Sequence, residues 1–280
     1  MRVLACLKAT PDFEALGEAQ WAAAAERGVE TRYARRVLNC FDESALALAL
    51  RLSETAAALG LAVELGALSV GGREVEPYLT TLVALGYERA TRVSAEAAGT
   101  VAGTGLDFAP GVVAAIIAAF ARRVAQCDLV VLGWRSGPGD GGTVPFRVAE
   151  ALGWPCLSQV TEVEPLSDGR LRVACVADDG PLRLTLRGPC VLAVGNAVIT
   201  HLRVPTLKDR LARRDRLIDR LAAADLGVDI AAQRRRETCL LTGLETIDRS
   251  RGGAVIEGQS PRDKAGTLFD SHLRDIMDTL

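Results

Sequence analysis

The sequence predicts an α/β fold with a mostly parallel sheet and an antiparallel addition. Short apolar runs alternate with longer segments of helical periodicity through the first half of the chain, as in βαβ units with helices on both sides of a sheet. The run at 128–133 is apolar almost throughout, as in a strand buried on both faces. Two Asp-Gly pairs, at 168–169 and 179–180, then separate strand-like runs and indicate hairpins.

Each element has a local signal. Asn39 and Asp42 are both plausible N-caps of a long alanine-rich helix, and glycines end several helices. The parallel part is predicted to contain strands at 3–7, 62–70, 90–93 and 128–133, and helices at 42–59, 75–85, 109–125 and 144–152. Strand-like segments follow at 158–164, 170–177, 182–186 and 191–196, then a basic helix at 207–221 and a final helix from Ser260 onward.

Composition narrows the class of protein. The chain has 280 residues, 49% of them apolar and 24% charged, with a net charge of −2. This balance is typical of a globular protein and provides no overall field that would attract nucleic acid or an anionic membrane. No run approaches the ~20 apolar residues of a membrane span, and no signal-peptide pattern is present, so a cytoplasmic location is expected.

The cysteines do not suggest a metal site or a disulfide framework. Their number is odd, their spacing is wide and they form no CxxC pair, while the two histidines lie far apart. The seven cysteines are Cys6, Cys40, Cys127, Cys156, Cys175, Cys190 and Cys239. Most lie in apolar runs, where free cysteine packs as a small hydrophobic residue. No catalytic constellation of acid, base and nucleophile can be assembled, and we expect no enzyme activity.

A glycine-rich turn carries the strongest functional signal. Gly137, Gly139, Gly141 and Gly142 lie between the predicted strand at 128–133 and the helix at 144–152. A strand that leads through glycines to a helix N-terminus directs free N–H groups toward one point, where a phosphate can bind. Glycine permits close approach and positive φ. The spacing matches neither a P-loop nor the dinucleotide fingerprint.

Five blocks of sequence, occurring in order, resemble the electron transfer flavoprotein beta-subunit family. They are Lys-Ala-Thr-Pro-Asp at 8–12, Leu-Asn-Cys-Phe-Asp-Glu-Ser-Ala-Leu at 38–46, Leu-Ser-Val-Gly at 68–71 with Ala-Leu-Gly-Tyr-Glu-Arg-Ala at 84–90, the glycine loop with Ala-Glu-Ala-Leu-Gly-Trp-Pro at 149–155, and Asp-Leu-Gly-Val-Asp at 225–229.

The resemblance implies an adenine-nucleotide alpha-hydrolase-like (Rossmann-like) domain at 1–221 and a C-terminal arm at 222–280 that packs on a partner subunit. It implies a heterodimer with an alpha-like subunit that holds most of a shared FAD, and AMP or a second FAD in this chain. The complex would carry electrons from an acyl-CoA or other flavin dehydrogenase toward the respiratory quinone pool. Whether AMP or FAD fills the site, and whether the chain forms a homodimer when expressed alone, stay open.

The resemblance also assigns roles to residues. Ala9 and Asn39 would contact the adenine-nucleotide end, Val70 would line the adenosine pocket, and Phe13 would approach the flavin of the alpha subunit. The cofactor-binding set is completed by Gly133, Asp140, Gly141, Gly142, Thr143 and Val144, most of which would cradle the phosphate or ribose by backbone N–H.

Several alternatives remain at this point. Asn39 could only cap its helix, Asp140 could cap the next helix, and Phe13 could belong to the core. The loop departs from the family pattern at Pro138, Thr143 and Pro145, and the segments at 197–200 and 210–216 differ from the family's dehydrogenase-recognition region. A stand-alone nucleotide-binding module of universal-stress type would share the fold. A ligase or hydrolase would need a motif that is missing here.

Overall fold

The structure, a computed structural model, describes residues 1–22, 31, 33–95, 106, 109–137, 141–237, 253 and 255–277. In chain order its strands are β1 Arg2–Leu7, β2 Ala9–Pro11, β3 Arg36–Leu38, β4 Glu64–Val70, β5 Arg89–Ser94, β6 Leu129–Gly133, β7 Cys156–Pro165, β8 Leu171–Ala177, β9 Gly180–Leu186, β10 Cys190–Val194 and β11 Asp219–Ala222. Its helices are α1 Glu18–Ala22, α2 Cys40–Ala58, α3 Glu76–Leu85, α4 Pro110–Phe120, α5 Val144–Leu152, α6 Leu207–Ala212, α7 Ile230–Arg235, α8 Pro261–Leu268 and α9 Arg274–Met277.

The main sheet of this described part has nine strands in the order β11-β5-β4-β1-β6-β10-β7-β8-β9. All neighbours from β11 to β7 pair in parallel, and β8 and β9 are joined in antiparallel fashion. A short antiparallel pair, β2 with β3, follows the end of β1. The predicted α/β fold with a mostly parallel sheet and an antiparallel addition is confirmed.

Helices cover both faces of the sheet, and the two-residue period of the strands explains why. Along β1, Val3 and Ala5 pack into the core that contains α2 and α3. The alternating residues Leu4 and Cys6 pack into the other core, with α4 and α5. Because successive side chains of a strand point to opposite faces, one apolar run supplies both cores.

The position of β10 differs from the sequence prediction, which places this segment in the antiparallel addition. In the structure β10 lies between β6 and β7 and pairs in parallel with both. All five of its residues are buried. A continuous apolar strand of this kind is typical of the centre of a parallel sheet, so the antiparallel part is limited to β7, β8 and β9.

The helix predicted over 207–221 is wrong beyond its first turns. Only Leu207–Ala212 is helical, and Asp219–Ala222 forms β11 at the edge of the sheet beside β5. Leu221 packs against the core beneath α4. Arg220 binds Glu76 at the start of α3, with Nη2 2.8 Å from Oε2. These long-range contacts outweigh the local helical charge pattern.

The chain after β11 first packs on its own domain. Ala223 and Leu226 are buried with the residues of α4. Further on, α8 begins after Ser260 as the sequence predicted, and Ser260 and Asp263 form a capping box at its start. Exposed apolar side chains follow on the last helical turns, namely Leu268, Phe269, Leu273, Ile276 and Met277. The boundary at 221 and the partner for the arm stay predictions.

Candidate functional site

The candidate site lies at the carboxyl edge of the sheet, between β1 and β6. The chain passes from β1 to β4 and β5 on one side, and then returns to β6 on the other side of β1. In open parallel sheets, ligands bind in the crevice at such a reversal of strand order. Lys8 and Ala9 follow β1 here, and Gly133 ends β6.

Asp42 links the ends of these two strands. Its Oδ2 accepts the backbone N–H of Lys8 at 2.9 Å, and its Oδ1 accepts the N–H of Gly133 at 2.8 Å. The residue is only 6% exposed. Burial raises the pKa of this carboxyl to about 6, although the two backbone N–H groups favour the charged form. From the sequence, Asp42 is recognisable only as a possible helix cap, and this link between distant strand ends is not predicted.

Gly133 has no room for a side chain. A Cβ placed on it would lie 2.5 Å from Asp42 Oδ1 and 2.8 Å from Phe41 Cβ. The first turn of α2 therefore packs directly on the backbone of β6. The inclusion of Gly133 in the predicted site rested on the family resemblance, and the structure supplies a physical reason for glycine at this position.

Asn39 lies at the N-cap position of α2, but its side chain does not cap the helix. Instead, Nδ2 donates to the carbonyl oxygen of Arg135 at 2.9 Å, and the residue is 6% exposed. Its backbone N–H donates to the carbonyl of Lys8 at 3.0 Å. Asn39 therefore joins three segments of the crevice, and the capping interpretation of its side chain is wrong.

Lys8 and Phe13 contact the start of the glycine loop. The ammonium of Lys8 donates to the carbonyl oxygen of Gly137 at 3.2 Å. The ring of Phe13 lies 3.7 Å from where a Cβ of Gly137 would be, and its centroid is 6.0 Å from that of Trp21. Phe13 is half-buried. Phe13 therefore lies beside the glycine loop. The sequence had also allowed a position in the hydrophobic core.

Of the described glycines of the loop, Gly142 allows a close approach of the backbone. A Cβ on Gly142 would lie 3.0 Å from the carbonyl oxygen of Trp134 and 3.2 Å from Arg135 Cγ, whereas a Cβ on Gly141 would meet nothing within 4 Å. Positive φ does not occur at Gly137 or Gly142. At these two positions the tolerance of glycine for positive φ is therefore not used.

The loop leads into α5, and Gly142, just before this helix, lies against Trp134 and Arg135 after the end of β6. Thr143 is exposed at the N-cap position and makes no side-chain cap, Val144 is half-buried, and Pro145 occupies the first turn. The first N–H groups of a helix have no intrahelical acceptor and carry the positive end of its dipole. The arrangement suits an anion. The prediction for Asp140 concerns a residue that lies outside the described part of the chain, as do Pro138 and Gly139.

An aromatic group that the sequence analysis did not single out lies beneath the loop. The guanidinium of Arg135 stacks on Trp134, with Cζ 3.9 Å from the ring centroid. Phe41 meets the same ring edge-on at a centroid distance of 6.2 Å. These side chains support the loop from the strand side. The sequence signal for this pair is Gly-Trp-Arg directly after a buried strand, where an aromatic residue is followed by a basic one.

The remaining predicted residues lie at neighbouring strand ends. Ala9 is buried in β2, where it pairs with Leu38, and Val70 is the half-buried last residue of β4. The hydroxyl of Ser69, next to Val70, donates to the carbonyl of Leu7 at 2.8 Å and ties β4 to β1. The structure therefore brings Ala9, Asn39, Val70 and Gly133 to one edge of the sheet.

Metal binding has no support in the described residues, where no group of three or more His, Cys, Asp or Glu could hold an ion. His201 is largely exposed, with Nδ1 3.9 Å from Glu43 Oε1. Among the helices that the structure describes, none has the length and apolar character needed to cross a bilayer.

Known proteins resemble this chain along most of its length. A family model described as the electron transfer flavoprotein domain matches residues 27–226. The chain is 32% identical, over 99% of each protein, to an Escherichia coli (strain K12) protein named "Putative electron transfer flavoprotein subunit YgcR". It is 27% identical to the electron transfer flavoprotein subunit beta of Syntrophomonas wolfei, over 80% of this chain and 81% of that protein. The mitochondrial electron transfer flavoprotein subunit beta of Arabidopsis thaliana is 28% identical over 72% of this chain and 75% of its own length.

Proposed function

The chain belongs to the electron transfer flavoprotein family as a divergent beta-like electron transfer subunit, and we propose that it binds an adenine nucleotide between β1 and β6. The observation that carries this proposal is the convergence of Asn39, Gly133 and the N-terminus of α5 at one crevice. That crevice lies where the strand order reverses, which is where open α/β sheets bind ligands.

The residues present suit an adenine nucleotide. Gly142, Thr143 and Val144 would offer backbone N–H groups to the phosphate, with the dipole of α5 behind them. Ala9 and Val70 would line the adenosine, and Asp140 would face the sugar. Both oxygens of Asp42 are already bound by backbone N–H groups. This carboxylate therefore joins the ends of β1 and β6.

We propose that an FAD-bearing alpha-like subunit completes the site. The exposed apolar side chains of the last helical turns favour a protein surface as their partner, because solvent exposure of several neighbouring large apolar residues is unfavourable. A flavin held between the two subunits would accept and release electrons. This chain would orient it and exclude water through half-buried rings such as Phe13 and Trp134, with no covalent step of its own.

The complex would carry electrons from an acyl-CoA or other flavin dehydrogenase toward the quinone pool, and we propose a cytoplasmic location for it. The segment after Asn196 departs from the family pattern, so the donor is expected to differ from the usual one. We propose that the nucleotide is either AMP or FAD, and the extraction experiment below distinguishes them.

Co-expression with an FAD-bearing alpha-like subunit tests this proposal. The complex is purified through a tag on this chain, denatured, and assayed for AMP and FAD by chromatography. We expect an adenine nucleotide bound to this chain, and a flavin that a dehydrogenase reduces and a quinone reductase oxidises. A folded chain with no nucleotide and no complex would contradict the proposal. Nucleotide binding without any partner would instead favour the universal-stress type of module.

The partner surface can be tested in the same preparation. Ile276→Arg places a charge among the exposed apolar residues of the final turns and is expected to weaken the complex while the domain stays folded. Thr267→Arg adds the same side chain at an exposed polar position of α8 and serves as the control. Equal loss of the complex in both variants would argue against an apolar docking face.

A further inference from the structure

Glu237, in the C-terminal arm, contacts two helices near the candidate site. Glu237 Oε2 accepts the backbone N–H of Gly111, in the first turn of α4, at 2.8 Å. Glu237 Oε1 lies 3.2 Å from Nη1 of Arg147, in the first turn of α5, as an ion pair without hydrogen-bond alignment. The Glu237 side chain is only 5% exposed, whereas that of Arg147 is 33% exposed.

The contact is closely packed. A Cβ on Gly111 would lie 2.8 Å from Glu237 Oε2 and 3.0 Å from Arg147 Nη1. A carboxylate at a helix N-terminus is stabilised by the free N–H groups and by the dipole. Because Glu237 is buried, removal of Arg147 would leave its charge poorly compensated. The three groups therefore form a specific latch between the chain after α7 and the helices α4 and α5.

The segment that leads to this latch is itself anchored. Leu226 is buried, Val228 and Ile230 pack against the core beneath α4, and Arg123 donates to the carbonyl of Leu226. Glu237 lies two residues after the end of α7 and follows the exposed Arg234, Arg235 and Arg236. The latch is thus the last described contact that ties the arm to the domain before the chain continues toward α8.

Arg147 connects the latch to the glycine loop. The backbone N–H of Arg147 donates to the carbonyl oxygen of Thr143 at 3.0 Å and closes the first turn of α5. The orientation of that turn sets the direction in which the N–H groups of residues 142–144 point. We propose that Glu237 and Arg147 are positioning residues that couple the C-terminal arm to the nucleotide site, an inference that rests on the proposed function.

Coupling of this kind is reciprocal. If the closed latch favours nucleotide binding by some factor, bound nucleotide must favour the closed latch by the same factor. If these side chains only stabilised the fold, their substitution would lower overall stability without linking nucleotide binding to closure of the latch. The arginines at 234–236 provide a readout, because trypsin binds an extended stretch of chain and cleaves here after local unfolding of the α7 segment.

The experiment uses the full-length chain, freed of nucleotide and then titrated with AMP and, separately, with FAD. Wild type, Glu237→Gln and Arg147→Met are compared for dissociation constant and for the rate of tryptic cleavage at 234–236, with fragments identified by mass. Glu237→Gln keeps an acceptor for Gly111 and removes the charge. Asp168→Asn breaks an exposed ion pair with Arg170, 2.6 Å long, on the β7–β8 hairpin and is the matched control.

In the wild type we expect nucleotide to slow cleavage at 234–236. In both latch variants we expect tryptic cleavage to be about fivefold faster or more. The dissociation constant for the nucleotide should rise by the same factor by which the nucleotide no longer slows cleavage. Faster cleavage with unchanged nucleotide affinity, or no change in either quantity, would overturn the coupling alone. A folded wild type that binds neither AMP nor FAD would overturn the proposed nucleotide site and the coupling together.

Discussion

The carboxylate of Asp42 accepts the backbone N–H of Gly133 across 2.8 Å, and the two residues are 91 positions apart in the chain. The same side chain accepts the N–H of Lys8 at 2.9 Å. One residue in the first turn of α2 therefore joins the ends of β1 and β6. The width of the crevice between these strands depends on this contact.

Gly133→Ala is expected to destabilise the protein by about 1–3 kcal/mol, as is typical of overpacked interiors. The new Cβ would lie 2.5 Å from Asp42 Oδ1 and would separate α2 from β6. Urea unfolding measures this effect. Gly266→Ala, at an exposed position of α8 where a Cβ meets nothing within 4 Å, is the control. Equal stability of the two variants would show that the crevice tolerates a side chain at Gly133.

Asp42 should make stability depend on pH in an unusual direction. Its pKa is raised by burial from 3.8 to about 6 in the folded protein, so folding takes up a proton between these values. The contribution of Asp42 is complete below pH 4 and is lost as pH rises through 6. The stability of wild type relative to Asp42→Asn should therefore increase as pH falls from 7 to 4.

The change in the free energy of unfolding between pH 7 and pH 4 is limited to about 3 kcal/mol, since one pKa unit corresponds to about 1.4 kcal/mol. Urea unfolding of wild type and Asp42→Asn at several pH values gives the difference directly. If wild type instead lost stability relative to the variant on acidification, the two backbone N–H groups would outweigh burial and the carboxylate would be the preferred form.

Glu76 is expected to show the opposite pH dependence. The hydrogen bond from Arg220, helped by Arg92, lowers its pKa from 4.5 to about 2. Its stabilising contribution is present above pH 4.5 and is lost as pH falls through about 2. Glu76→Gln should weaken the attachment of β11 at neutral pH and lower the thermal midpoint, with a difference that shrinks on acidification. Glu88→Gln, a change at an exposed residue just before β5, should alter neither.

Gly142→Val should reduce nucleotide retention about tenfold or more, because the side chain would force α5 away from Trp134 and misdirect its first N–H groups. Nucleotide extracted per mole of purified chain is the measurement. Gly266→Val makes the same chemical change on α8, far from the loop in sequence, and should leave retention as in wild type. Unchanged retention in Gly142→Val would remove the loop from the site.

Local sequence patterns predicted most strands and helices correctly. The apolar run at 3–7 predicted a strand, and the alternation of strands with helices predicted helices on both sides of the sheet. The glycine turn was likewise predicted between a buried strand and a helix, because spacing and residue type report φ preferences and burial over short distances. The segment of β11 was missed because its helical charge pattern is local, whereas its pairing with β5 is not.

The sequence by itself determined the class of fold and the place of the loop after the strand β6. Only the tertiary structure decided that β10 lies between β6 and β7, that the side chain of Asn39 binds Arg135 at the N-cap position of α2, and that Glu237 reaches Arg147. The physical reason is sequence separation. Periodicity and capping act over a few residues, but hydrogen bonds and ion pairs between distant segments form only after the hydrophobic cores have brought the strand ends together.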